Sequence, residues 1–413
     1  MRALGIVVGL SVFSACASPP RRSAGDLAAL RAALGGAAAA ARAEAAFALG
    51  QLGLAEAPEG APEPPTLISI REAAASSLIV AASDPDAVVR RAAVEALGKV
   101  GGPEIEDALL SAGTDVDAGV RGETALALFR RRFLKRVPEY STASLDKLLT
   151  LAVDSEPEVR WRAVYACSRW AEPRARDILT KAQRAVDVRE RLFAVRSLAK
   201  LGRSADPSLL SDPDLHVRAE AVASFGAAKA AADLSAAAFY DSSAHVRAAA
   251  ADAVAATGDP ALAARVAQMA DADGPMPRGR ALLALAKLRG DAEAARIERA
   301  RRDPHWWIRS KAYEASAALR DAAAILNAGV ADPDARVAAQ ALETLAASSS
   351  PLAAAALETV LRDPKAALEP LGTAIDAAAE RKSPALTEAL RAPWRRADLT
   401  AEIRGSLRKA LEA

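Results

Sequence analysis

Aromatic residues make up only 4% of this 413-residue chain, histidine occurs three times and cysteine twice. Without large rings a core is filled by small and aliphatic side chains. With alanine dominant, that suits closely crossing helices rather than sheets, whose strands favour aromatic and β-branched residues. Runs of alternating strand formers are nearly absent as well. Neither sign of charge is in surplus: 54 lysines and arginines against 52 carboxylates leave +2, without the basic footprint of a general nucleic-acid binder. A glycine-rich phosphate loop is missing, as is any nucleophile with a recognisable base, so the chain offers no catalytic residue, cofactor site or metal site. Two cysteines, Cys16 and Cys167, give no disulfide framework.

What the chain does have is a period. An arginine returns about every 30 residues, at Arg42, Arg90, Arg121, Arg160, Arg191, Arg218, Arg247, Arg278 and Arg309, with Ala338 at the same place in a tenth unit. Three places after the anchor stands a small residue, as in Ala93, Ala163 and Ala221. Seven places after it stands a larger apolar one, as in Leu97, Leu198 and Leu285. A period of this length marks stacked supersecondary units, so the expectation is an all-α, right-handed α-solenoid of about ten to twelve helical hairpins, one elongated domain over residues 26–413. In the unit from Ser83 to Gly98, Asp84 or Asp86 is placed to cap a helix, Pro85 to occupy its first turn and Gly98 to lie near its end. Val89, Ala93, Ala96 and Leu97 share one face at helical spacing. Leucine-rich stretches such as Leu145 to Leu151 supply the second helix of each pair. Cys167 takes the larger apolar place of its unit and reads as a buried small hydrophobe. His216 and His245 hold equivalent places in adjacent units, about 10 Å apart, too far to share a metal ion.

The first 16 residues are of another kind. Met1 and Arg2 precede an apolar run from Ala3 to Val12, too short to span a bilayer, and Phe13-Ser14-Ala15-Cys16 closes it. This ending resembles the lipobox of bacterial lipoproteins, with Phe13 in place of the usual leucine. The resemblance implies lipidation of Cys16, and Ala17-Ser18 after it implies transfer to the periplasmic side of the outer membrane. Cleavage near Ala15 into a soluble periplasmic or secreted protein is the alternative. Residues 17–25 read as a tether.

The order aspartate, proline, valine-arginine, alanine, leucine-glycine resembles HEAT repeats of the short bacterial form found in HEAT-like lyase proteins, over roughly residues 25 to 390. The resemblance implies that the valine-arginine helix lines the concave side and that its arginine pairs with a turn aspartate in a structural ladder. Here that implies Arg90, Arg160, Arg218, Arg247 and Arg309 beside Asp84, Asp154, Asp212, Asp241 and Asp303. Pro277-Arg278 and Val337-Ala338 alter the anchor and mark weaker rungs. HEAT-type iron hydroxylases rely on His-Glu pairs, and no histidine here precedes a glutamate.

Positions where units differ are the candidates for function. Between Arg42 and Arg90 the spacing grows to 48 residues, with an acidic, proline-rich loop from Glu56 to Pro65 inside an insertion near 54–66. Between Arg121 and Arg160 it grows to 39 residues, with an insertion near 130–141 that holds Arg130, Arg131, Arg132, Lys135 and Arg136. This basic patch reads either as a contact for anionic headgroups or an acidic partner, or as a solvated helix end. Trp161, Arg162, Tyr165, Arg169 and Trp170 cluster in one unit, and Trp306 and Trp307 in a later one. Such aromatic and arginine side chains anchor protein interfaces, and equally fill wide gaps between helices. The sequence therefore points to a non-enzymatic, lipid-anchored scaffold in the cell envelope with a protein or peptide partner and no nucleic acid or metal. Two alternatives stand beside it. One is a client-holding accessory of envelope protein folding, similar to the HEAT region of exported cyclophilin fusions without the prolyl isomerase domain. The other is an enzyme of the HEAT-like lyase type.

Overall fold

The structure is a computed structural model that describes residues 24–54, 65–100, 102 and 104–412. The expected signal segment with Cys16, the expected tether up to residue 23 and the acidic loop from Glu56 to Pro64 lie outside the described residues. Pro65, expected at the end of that loop, instead opens the helix Pro65–Ala81. Among the described residues there is no strand, and no helix is long and apolar enough to cross a membrane.

The chain divides into two compact units, Met1–Ser197 and Leu198–Ala413. In the first, each anchor arginine sits in the opening turns of a helix: Ala39–Gly53, Ala87–Leu97, Ala118–Phe133, Pro157–Ser168 and Val188–Lys200. Second helices, Pro65–Ala81, Ile105–Ala112, Thr142–Leu151 and Arg176–Ala182, alternate with them along the chain. In the second unit the anchor helices are Leu215–Ala227, Ala244–Thr257, Pro275–Arg289, Trp306–Ser316 and Ala335–Ala346. Successive anchor helices from Ala39–Gly53 to Pro157–Ser168, and from Leu215–Ala227 to Ala335–Ala346, pack directly on one another. Not every repeat is a hairpin of two α-helices. Ahead of Arg218 the second helix shrinks to the 3-10 turn Pro207–Ser211, and ahead of Arg247 to Ala231–Asp233 and Ala236–Phe239. The repeat before Arg218 is the shortest, whereas the one before Arg247 equals in length the one before Ala338, which keeps the helix Ala322–Gly329.

The periodic residues form the core. Ala93, Ala163, Ala221, Ala250 and Ala341 are wholly buried, as are Leu97, Leu285 and Leu345 at the seventh place. Thr124 and Ser316, polar exceptions in that register, are buried too and donate their hydroxyls to Val120 and Ala312 carbonyls one turn back. Cys167 is buried, and burial pushes its thiol up to about 12. Asp86, not Asp84, caps its helix, accepting the Val88 N–H at 2.8 Å, and Pro85 precedes the cap rather than entering the first turn.

Asp84 has a different task. Its carboxylate accepts the Asp86 N–H and both Nε and Nη2 of Arg42, at 2.7 and 2.8 Å, from the preceding repeat. The same bidentate rung joins Arg90 to Asp115, Arg121 to Asp154, Arg218 to Asp241, Arg247 to Asp273 and Arg309 to Asp332. The ladder expected from the sequence is therefore offset by one unit. Arg90, Arg160, Arg218, Arg247 and Arg309 meet their own Asp84, Asp154, Asp212, Asp241 and Asp303 through the backbone carbonyl, which accepts from Nη1 at 2.6–3.0 Å. One guanidinium thus fastens its own turn and the next. These hydrogen bonds hold Asp84, Asp115, Asp154, Asp241 and Asp273 below the usual carboxylate range. Two rungs differ. Arg278 reaches Asp303 through Nη2 alone, and its buried Nε has no partner. Arg160 is met by the buried Glu190 at 3.0 Å, because Asp187 is taken by Arg189.

Glycine serves the stack through its size. Eight places after the anchor, Gly98 lies so close to the next helix that a Cβ would stand 2.8 Å from the Ala127 Cα, and Gly226 would stand 2.6 Å from that of Ala253. Gly98 has φ −65°, so the bare Cα is needed for this approach and not for a left-handed turn.

Candidate partner-binding surface

In the repeat anchored by Arg121, the place held by Gly98 and Gly226 elsewhere is taken by Phe129. Where those repeats offer a bare Cα, and others a serine or alanine such as Ser168 or Ala255, this one offers a ring, and other rings gather on it. Tyr165 lies 4.9 Å from Phe129 between centroids, Trp170 and Phe133 each 5.6 Å. Tyr140 meets Trp170 edge-on at 5.7 Å and donates its hydroxyl to the Ala166 carbonyl. Phe193 stands edge-on to Tyr165 at 4.9 Å and stacks on Trp161 at 6.3 Å. A chain poor in aromatics thus gathers seven of its sixteen rings into one belt across the helices Ala118–Phe133, Pro157–Ser168 and Val188–Lys200. Each such pair stabilises by roughly 0.5–1.5 kcal/mol beyond its burial, which fixes the belt as firmly as the frame beneath it.

Arginines cover the rings. Arg132 lies over Trp170 at 4.3 Å and Tyr140 at 4.8 Å, Arg169 over Phe133 at 5.4 Å and Arg196 over Phe193 at 5.7 Å. Arg189 and Arg162 flank Trp161 at 4.9 and 5.5 Å. Acids hold some of them: Glu172 pairs with Arg132, and Glu158 accepts from Arg189 and from the Trp161 indole, which keeps its carboxyl below the usual range. Arg162 is different. It makes no hydrogen bond among the described residues, its nearest carboxylate oxygen, on Glu158, is 3.8 Å away, and its Nε is buried without a partner. Gly122 makes room for it, since a Cβ there would stand 2.8 Å from Arg162 Nη1.

The structure thus brings together Trp161, Arg162, Tyr165, Arg169 and Trp170, with unequal roles. Trp161 is buried at 4% exposure and serves as floor, whereas Tyr165, Trp170 and the 39% exposed Phe133 leave edges on the surface. The run from Arg130 to Arg136 does not form one patch. Arg130 binds Glu123 and the Glu95 carbonyl, Arg131 is buried against the Gly102 carbonyl, Arg132 joins the belt and Arg136 reaches the Lys99 carbonyl. Burial lowers the Arg131 pKa and raises that of Glu123. Lys135 takes a left-handed φ of 55° just past the helix end. Trp306 and Trp307, in the second unit, touch edge-on at 5.7 Å. They are covered by Arg336 at 3.7 Å and Lys311 at 4.7 Å, and His305 caps their helix by accepting the Trp307 N–H. Phe129, Phe133, Tyr140, Phe193, Arg189 and Arg196 did not stand out in the sequence. Aligning the repeats place by place shows Phe129 where Gly50, Gly98 and Gly226 stand, which is the signal that finds the belt.

No group of histidine, cysteine or acidic side chains able to hold a metal ion occurs among the described residues. Comparison with known proteins agrees with the geometry. Residues 27–129 match the model of HEAT repeats. No curated protein sequence matches the chain. Among solved structures, Kap95 in a Kap95:Nup1 complex has a TM-score of 0.53 at 12% identity, over 94% of this chain and 62% of that one. Kap95p in a complex with RanGDP has 0.50 at 12% identity, with the same coverage. An engineered protein is 20% identical over 94% of this chain and 98% of its own, with a TM-score of 0.42. The fold is a HEAT-like α-solenoid.

Proposed function

We propose that the chain is a non-enzymatic scaffold that holds a protein or peptide partner on the aromatic and arginine belt of its first unit. The observation that carries this reading is Arg162, a guanidinium half-buried on a ring with no hydrogen bond to satisfy it, amid exposed edges of Tyr165, Trp170 and Phe133. A repeat frame needs none of these groups, because its ladder and its small core residues recur without them. A half-buried guanidinium whose buried Nε–H meets no acceptor is costly, so a site that keeps one is suited to a ligand that supplies hydrogen-bond acceptors. The Kap95 structures are complexes with other proteins, and a repeat stack offers this chain the same kind of extended binding face.

The same reading includes export and a lipid anchor at Cys16, supported by the apolar run and the Phe13-Ser14-Ala15-Cys16 ending. An anchor there would keep the scaffold on the periplasmic side of the outer membrane. Affinity capture from solubilised envelopes tests the binding site. The Tyr165→Ala, Arg169→Ala variant, verified as folded by circular dichroism, is expected to lose the partner that the wild type retains, and unchanged recovery would sink the site. Labelled palmitate incorporated by the wild type and not by Cys16→Ala tests the anchor.

A further inference from the structure

We infer that a cavity in the first unit binds a small zwitterion, an α-amino acid whose carboxylate meets Arg131 and whose ammonium meets Glu106. The cavity, of about 220 Å³, opens between the helices Ile105–Ala112, Ala118–Phe133 and Thr142–Leu151. It is smaller than the roughly 300–1,000 Å³ of pockets for drug-sized ligands, so its occupant is a small molecule. Repeat register gives the first argument. Ten places after its anchor this repeat carries Arg131, where other repeats carry Leu52, Val100, Leu201, Leu288 and Leu319. Arg131 is nonetheless only 5% exposed, and burial works against its charge. Its one hydrogen bond runs from Nη2 to the Gly102 carbonyl at 3.2 Å, and its buried Nε–H meets no acceptor among the described residues. A frame that accepts leucine or valine at this place has no need of such a group.

The opposite wall gives the second. Glu106 lines the same cavity, and its Oε1 accepts from the hydroxyls of Ser141 and the buried Ser144, which hold the carboxylate in place. Its Oε2 accepts no hydrogen bond from the described residues. Glu106 acts on Arg131 electrostatically yet forms no ion pair with it, so two opposite charges line one cavity without touching. Among the charged residues of the lining, Glu106 and Glu139 stand against the one guanidinium. The carboxylates repel a simple anion and Arg131 repels a simple cation. A molecule that carries both charges a few ångströms apart satisfies each wall: its carboxylate supplies acceptors to the guanidinium, and its ammonium donates to Glu106. Leu128, Val137 and Pro138 add apolar surface, which suits an aliphatic side chain on the same molecule.

Isothermal titration calorimetry of the full chain tests this with L-leucine, leucinamide, N-acetyl-leucine and sodium acetate as probes. Leucine is expected to bind and to raise the melting temperature. Leucinamide, which lacks the carboxylate, and N-acetyl-leucine, which lacks the ammonium, are expected to bind at least about tenfold more weakly. Arg131→Leu restores the residue type of the other repeats, so it is expected to keep or raise the melting temperature of the unliganded chain and to abolish leucine binding. Early melting of that variant would contradict the view that the frame has no need of the arginine, and Glu106→Gln, which keeps an acceptor for both hydroxyls, then decides the site. It is expected to weaken leucine at least about tenfold with an unchanged melting temperature. Leucine binding that survives Glu106→Gln, equal binding of leucinamide or N-acetyl-leucine, acetate binding as tightly as leucine, or no binding of leucine at millimolar concentration would each overturn the inference.

Discussion

The same substitution, glycine to alanine inside a helix, is expected to move stability in opposite directions at Gly226 and Gly372. Both lie in helices, Leu215–Ala227 and Leu368–Arg381, and alanine is favoured over glycine in a helix interior by about 1 kcal/mol. At Gly372 nothing lies within 4 Å of the new Cβ, so that gain is kept. At Gly226 the methyl would meet the Ala253 Cα at 2.6 Å, its Cβ at 3.0 Å and its carbonyl oxygen at 3.2 Å. Ordinary carbon contact is about 3.5–4.0 Å, so two anchor helices must part by roughly 1 Å. Overpacking of that kind costs about 1–3 kcal/mol, and the gain from propensity is reduced because Gly226 lies near its helix end. The net expectation is a loss of about 1–2 kcal/mol for Gly226→Ala and a gain of up to about 1 kcal/mol for Gly372→Ala. Urea denaturation followed by far-ultraviolet circular dichroism reads both as shifts of midpoint. Shifts of the same sign would refute the view that glycine at the eighth place exists for close helix approach.

Other expectations follow from the ladder and its surroundings. Asp241→Asn breaks a bidentate rung and should cost about 2 kcal/mol, whereas Asp303→Asn breaks the single bond from Arg278 and should cost visibly less; equal midpoint shifts would contradict this. Asp84, Asp115, Asp154, Asp241 and Asp273 are depressed in the folded state, so their contribution is complete above the ordinary aspartate value of about 3.9 and is lost as pH falls below it through the folded values. Acid titration should therefore show the main loss of helicity below about pH 4, a smaller loss in Asp241→Asn, and no major loss between pH 7 and 5. Cys167 should resist a thiol reagent in the native protein and react after denaturation, as peptide mapping can show, since burial holds its thiol at about 12. Lys382 adopts a left-handed φ of 48° at a helix end, so Lys382→Gly should raise stability by about 0.5 kcal/mol, and a fall would contradict the strain.

The stacking was legible in the sequence because its determinants are local and periodic: the alanine three after each arginine and the leucine seven after it lie on one face of one helix, and the structure buries them. The ladder was legible in kind but not in register. Spacing within a repeat places Arg90 near Asp84, yet the Asp84 carboxylate is already engaged by its own turn and by Arg42, so Arg90 reaches on to Asp115. The shortened second helix before Arg218 was written in the repeat length; the one before Arg247 was not, since the equally long repeat before Ala338 keeps the helix Ala322–Gly329. The belt was half legible. Trp161 and Tyr165 stand out by rarity, but which ring is floor and which is surface depends on Phe129 and Phe193, contributed by neighbouring helices across the stack. The positive run from Arg130 dispersed because successive residues on a helix project about 100° apart, so each of its arginines found a different partner.

Site-specific photo-crosslinking in intact cells tests most directly whether function resides in the belt rather than in the recurring frame. A photoreactive residue is placed at Phe133, exposed on the belt, and another at Tyr240, 72% exposed in the second unit. A discrete protein adduct at position 133, absent at 240 and lost when Arg162→Gln is added, is the result expected. Adducts at 240 alone, or the same adducts at both positions regardless of Arg162, would contradict the account.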